Sequence, residues 1–180
     1  MKKVVGVILL AILVGLGAGC KDKEAQAPLA EINAQAELEA RNIELIRTLT
    51  AELDKGNLEI FLKLLSPDFK YYFPSNSSTP MSREDELAMA KMMYLAIPDM
   101  KHVITDIFAV KDMVVARYFV QGTHQAELEG IAPTGNKVVI SAISIFRIKD
   151  GLVVEEIEEA DMLGFYQQLG MELKPKAAVK

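Results

Sequence analysis

The last apolar run of the chain, LVVEEIEEAD, carries five acidic residues among the seven from Glu155 to Asp161. A carboxylate whose pKa is raised by burial can remove a proton from a carbon beside a carbonyl. Strand alternation groups Glu156 and Glu158 with Leu152, Val154 and Ala160, and sets Glu155, Glu159 and Asp161 against them with Val153 and Ile157. Periodicity does not decide which set points inward, because both carry carboxylates. The competing reading is a solvated acidic strand end, with Asp161 capping the helix that follows it.

The second group is His124, in QGTHQAELEGIAPTG, one of only two histidines. Parity places it with Val114, Ala116, Tyr118, Val120 and Gly122 on the apolar strand face that the helices should cover. There it could donate to a developing enolate oxygen or orient a base, and Tyr118 could add a hydroxyl. The alternative is a hydrogen-bonded histidine at a strand end. His102 is assigned no role. The two histidines stand 22 positions apart and the chain has one cysteine, so no metal-ligand cluster is legible and no cofactor is expected. No serine sits in a GxSxG elbow, and the glycines of GLGAG fall in the leading segment.

The elements that must position these groups run helices first, strands after. Leu38, Leu45, Ile46, Leu49 and Leu53 recur at helical spacing, stopping at Lys55-Gly56. Asn57 is expected to cap a short second helix ended by Pro67, and Ser82 with Asp85 opens a third ended at Pro98. Met89, Met92 and Met93 in that helix read as core packing. MKHVITDIFAVKD and MVVARYFVQGTH form a hairpin, and NKVVISAISIFRI turns at Asp150-Gly151 into the acidic strand. In NKVVISAISIFRI, Ser144 shares the inward face with Val138, Ile140, Ala142, Phe146 and Ile148. Ile143 and Ile145 on the other face suggest a cover there, such as a second subunit forming a homodimer. The order predicts an α+β domain with helices on one face of an antiparallel sheet. The Gly130–Gly135 loop is expected to rim the pocket.

At 180 residues the chain suits one domain plus a terminal extension. Lys2 and Lys3 precede an apolar run from Val4 to Leu16 and then Gly17, Ala18, Gly19 and Cys20, which reads as a secretory signal peptide over 1–19. LGAGC resembles a bacterial lipobox, with lipid on Cys20 tethering the domain to the cell envelope through a polar spacer over 20–37. The domain is placed at 38–172 and a tail at 173–180. Loss of Lys2 and Lys3 takes the net charge from −5 to −7, which argues against nucleic acid as a partner.

IPDMKHVITDIFAVKDMVVARY, QGTHQAELEGIAPTGNKV, SIFRIKDG and EEIEEADMLGFYQQLG together resemble the SnoaL-like polyketide (ester) cyclase family of the nuclear-transport-factor-2-like superfamily. The resemblance spans roughly Leu38 to Gly170. It implies a cone: a curved antiparallel sheet wrapping the N-terminal helices, with a pocket at its open end. It also implies an intramolecular aldol-type closure without cofactor or metal, driven by a carboxylate near the end of the last strand. Counting back from QQLG, Glu158 stands where such enzymes carry aspartate. His124 matches the histidine of the GTH-like motif and Asp161 a second acidic position. Glu156, Tyr118, Ser144 and Asp161 are the expected pocket neighbours of Glu158 and His124. Ala160 replaces an expected aromatic and the chain has no Trp, which departs from a pocket for planar polycyclic substrates. The expectation is an envelope-anchored enzyme acting on a carbonyl compound. The alternatives are a non-catalytic ligand-binding or accessory lipoprotein, and a dimerising unit with a vestigial pocket.

Overall fold

In the computed structural model, which describes residues 23–175, Asp150 and Gly151 both take positive φ, 53° and 78°. That is the I′ geometry whose twist matches flanking strands, and it joins β4 (Lys137–Lys149) to β5 (Leu152–Ala160). Lys111, also at positive φ, turns β2 (Lys101–Val110) into β3 (Met113–Thr123). β1 (Leu65–Tyr72) adds in parallel to the free side of β5, giving a curved, unclosed sheet in the order β1-β5-β4-β3-β2.

Three helices lie against the concave face or its ends: α1 (Lys23–Leu53), α2 (Ile60–Leu64) and α3 (Arg83–Ala96). A fourth, α4 (Met162–Gln168), follows β5. β4 alternates buried and exposed without a break, with Ser144 fully buried on the inner side. Ile46, Leu49 and Leu53 of α1 pack against that inner face together with Val114, Ala116 and Phe146. α1 also holds the β2–β3 turn, since Glu39 Oε1 accepts the Lys111 N–H at 2.8 Å and Asn42 Nδ2 donates to its carbonyl at 3.0 Å. The α+β architecture expected from the element order is the one observed.

Local expectations change at several points. The stretch before Leu38, read as a spacer, is the first half of α1, and its described side chains are mostly exposed. Signal segment, Cys20 and the last five residues lie outside the described residues. Asn57 does not cap α2; Glu59 occupies that position, and Asn57 Nδ2 donates to Glu52 at 2.7 Å instead. α2 ends at Leu64, and Pro67 lies within β1, an edge strand where its missing N–H is tolerated. At α3 the capping box is present as expected, with Ser82 and Asp85 bonding each other's backbone N–H. Met92 is exposed, while Met89 and Met93 face a cavity under the sheet. Among the described residues, no helix is long and apolar enough to cross a membrane.

Candidate active site

The cavity lies between the sheet and helices α1 and α3 and has a volume of about 180 Å³. Most of its wall is apolar, including Leu49, Phe61, Met89, Met93 and Phe146. Glu86 of α3, Glu156 and Glu158 of β5, and Tyr71, Tyr118 and His102 from three other strands break that surface.

Glu156 and Glu158 reach the interior because β5 contains a bulge. Ile148 pairs with Val153 and Arg147 with Glu155, so Val154 is an extra residue with no partner on β4. The bulge reverses the alternation. Val153 is buried before it, and Glu156, only 5% exposed, is buried after it. A strict period of two therefore could not sort the carboxylates, since the strand changes parity midway. The other three acids are spent elsewhere. Glu155 pairs with Arg147 at 3.0 Å, Glu159 accepts from the Ser75 hydroxyl, and Asp161 accepts the Gly164 N–H at 2.8 Å as the cap of α4. Asp161, expected in the pocket, is not among the residues lining the cavity.

Three hydroxyls converge on one oxygen of Glu158. Tyr71 and Tyr118 each donate to Oε2 at 3.0 Å, and Ser144 donates to it at 3.3 Å. The Tyr118 and Ser144 hydroxyl oxygens also stand 2.9 Å apart, a contact in which either can donate only in place of its bond to Oε2. Register explains the meeting: Ser144 pairs directly with Glu158, Ala116 pairs with Ser144, and Tyr118 stands two residues further along the same face. Tyr71 enters from β1, opposite Glu156. Burial, reinforced by the charge of Glu158, raises both tyrosines above their ordinary pKa and keeps them donors.

All three cavity carboxyls are raised, and burial is the main cause for each. Glu86 is pushed up to about 8, with the charge of Glu158 adding to burial. Glu156 rises well above its ordinary value under burial and the charges of Glu86 and Glu158. For Glu158 burial is opposed by the three hydroxyl donors and by the charge of His102. Like charges this close do not ionise together, so the proton leaves first where the anion is best solvated. That place is Glu158. Glu86 and Glu156 then stay neutral, and Oε2 of Glu86 is buried with no partner among the described residues.

His124 is not in this site. It is fully buried, with its backbone N–H on the Asn136 carbonyl at 2.9 Å and its Nδ1 accepting the Thr134 N–H at 3.2 Å. β3 ends at Thr123, so parity no longer governs where the next side chain points, and His124 turns to clasp the base of the 124–136 loop. That loop does not line the cavity either, contrary to the rim expected of it. The histidine that does line it is His102, whose signal was its place two residues before Ile104 on the inward face of β2. Tyr71 and Glu86 were also not foreseen, since both come from elements far from the acidic strand in sequence.

Residues 43–169 match the SnoaL-like polyketide cyclase family. The chain belongs to that family. Among solved structures this SnoaL-like protein is similar to AclR from Streptomyces galilaeus, a candidate hydroxylase. They share 29% identity at a TM-score of 0.68, over 73% of this chain and 97% of that one. IdmH from Streptomyces antibioticus, a candidate polyketide cyclase, is 28% identical at a TM-score of 0.63, over 72% and 99% of the two chains. A SnoaL-like protein from Jannaschia sp. CCS1 is 22% identical at a TM-score of 0.67, over 76% and 96%, and supports the shared fold. No curated protein matches the chain.

Proposed function

We propose that this SnoaL-like protein closes a small carbonyl compound into a ring by cofactor-free acid–base chemistry, with Glu158 as the base. The observation that carries the reading is the gathering of the Tyr71, Tyr118 and Ser144 hydroxyls on Glu158 Oε2 inside an apolar cavity. Oε2 is saturated by protein donors, so Oε1 is the oxygen left to accept a proton from carbon. The resulting enolate carbon attacks a second carbonyl of the same molecule, forming one C–C bond, and the alkoxide so made takes up a proton. Glu86 and Glu156, held neutral, donate hydrogen bonds to oxygens that gain charge along the way, as a protonated carboxyl in an apolar site can. No atom is gained or lost, so no co-reactant is needed.

The test is the purified domain with short acyclic diketones, following ring closure by NMR as a carbonyl signal of the diketone gives way to the carbinol carbon of the cyclic hydroxy ketone. Glu158→Gln keeps the shape and the hydroxyl contacts but cannot take the proton, and its rate is expected to fall by about a thousandfold. Equal rates in the two proteins rule out Glu158 as the base. Binding of the diketones without turnover in the wild type leaves the ligand-binding lipoprotein as the function. The reading includes attachment to the cell envelope through lipid on Cys20, which rests on the LGAGC sequence.

A further inference from the structure

The chemistry above leaves one pair of ionisable groups at the cavity unused. Asp54, directly after the last residue of α1, presents Oδ1 to the backbone N–H of His102 at 2.9 Å and to its ring Nδ1 at 2.8 Å. Burial pushes Asp54 up, but the two bonds from His102 outweigh it and hold its carboxyl below the ordinary range. Two bonds to one oxygen fix both the position and the tilt of the imidazole. With Nδ1–H committed to Asp54, Nε2 is the nitrogen left for a ligand.

His102 lines the cavity, and its ring centroid lies 6.1 Å from that of Tyr118, whose hydroxyl is on Glu158. The hydroxyl of Tyr94, also on the cavity wall, is buried without a partner among the described residues. A ligand here therefore meets a carboxylate and an oriented imidazole close together, within an otherwise apolar wall. Volume limits what that ligand is. About 180 Å³ is little more than the ~150 Å³ that accommodates a benzene ring in a protein core.

We propose that the substrate is a dicarbonyl compound that closes to a single ring, with the oxygen of the attacked carbonyl received by Nε2–H of His102 and the donor carbon at Glu158. Asp54 is the positioning residue. The proposal rests on the reading of Glu158 as base. As the C–C bond forms, the Nε2 proton passes to the alkoxide while Glu158 holds the proton taken from carbon. Return of that proton to His102 through solvent resets both groups, so the reaction is a net isomerisation. With a proton on each ring nitrogen, Nδ1–H is held by Asp54 and Nε2–H is the one left for the ligand oxygen.

The experiment uses cyclohexanone labelled with carbon-13 at the carbonyl, observed by NMR on the purified protein. The bound carbonyl signal is expected to move downfield, to keep that shift in Glu158→Gln, and to lose it in both His102→Phe and His102→Gln. Asp54→Asn should shrink the shift and Asp54→Glu restore it, which a purely structural role would not do. Anthrone, with three fused rings, should bind at least about tenfold more weakly, because the cavity has room for one ring. Failure of cyclohexanone to bind, a shift that survives both His102 variants, or equal affinity for anthrone each overturns the proposal. These readouts need no turnover. A diketone rate unaffected by Glu158→Gln would sink the base assignment while the His102 contact stands or falls by its own signal.

Discussion

The hydroxyl of Tyr118 meets Oε2 of Glu158 at 3.0 Å although a whole strand, β4, lies between their backbones. Curvature of the sheet lets a long side chain reach over Ser144 to the carboxylate, and the Ser144 hydroxyl lies within hydrogen-bond distance of both. Removing one donor leaves the buried anion less well solvated. Tyr118→Phe should therefore raise the pKa of Glu158 further and move the acidic limb of the rate profile to higher pH. A hydrogen bond to a charged group is worth about 1.5–3 kcal/mol, and urea unfolding above that limb should show a loss of that order. A rate profile that stays in place would mean that the Tyr118 contact does not solvate the working base.

Glu86 makes stability depend on pH in an unusual sense. Its folded pKa of about 8 exceeds that of the unfolded chain, so the folded state binds the proton more tightly. The stabilisation is complete below the ordinary carboxylate range and is lost as pH rises through about 8. Glu156 and Glu158 shift in the same direction. Thermal unfolding of Glu86→Gln should fall less steeply than wild type between pH ~5 and ~8.5, with the largest gain at the alkaline end. Parallel curves would exclude a raised Glu86.

His124 should matter for stability and not for chemistry. His124→Ala removes a fully buried ring and strands the Thr134 N–H, a loss of about 2–4 kcal/mol from cavity formation and lost bonding together. Ring-closure rates per folded molecule should match wild type. A rate loss beyond tenfold with the fold intact would return His124 to the site.

Gly122 in β3 has the inner wall pressed against it. A Cβ there would overlap Ile97 Cγ2 and crowd Asp99 and the backbone of Met100. Gly122→Ala should cost about 1–3 kcal/mol by overpacking, read as a lower midpoint in urea with an unchanged slope. An unchanged midpoint would mean that the α3–β2 connection yields freely.

Attachment to the envelope is checked in cells. Radiolabelled palmitate should enter the wild-type chain and not Cys20→Ala, and the wild type alone should sediment with membranes. Equal labelling of both would remove the lipoprotein assignment.

Much of this protein is written locally. Alternation in β4, the Asp150-Gly151 turn and the Ser82–Asp85 capping box each depend on neighbours within a few residues, so the β4–β5 hairpin, the start of α3 and the inward face of β4 could be read in advance. The strand β1, between α2 and α3, was not. Motif order carried the family, and with it the choice of Glu158. Local rules then failed wherever the chain leaves a regular period. Val154 is an inserted residue that swaps the faces of β5, and only pairing with β4 reveals it. His124 lies one residue beyond β3, where alternation no longer holds, and it turned to the loop while His102 took the place at the cavity. Tyr71, Glu86 and Asp54 joined the site from β1, α3 and the end of α1, brought by sheet order and helix packing across long sequence separations. The sequence by itself determined the kinds of element and the acidic strand that would matter. Which carboxylates face the cavity, and which histidine stands beside them, was decided by a bulge and by curvature, because those arise from contacts between strands and not within them.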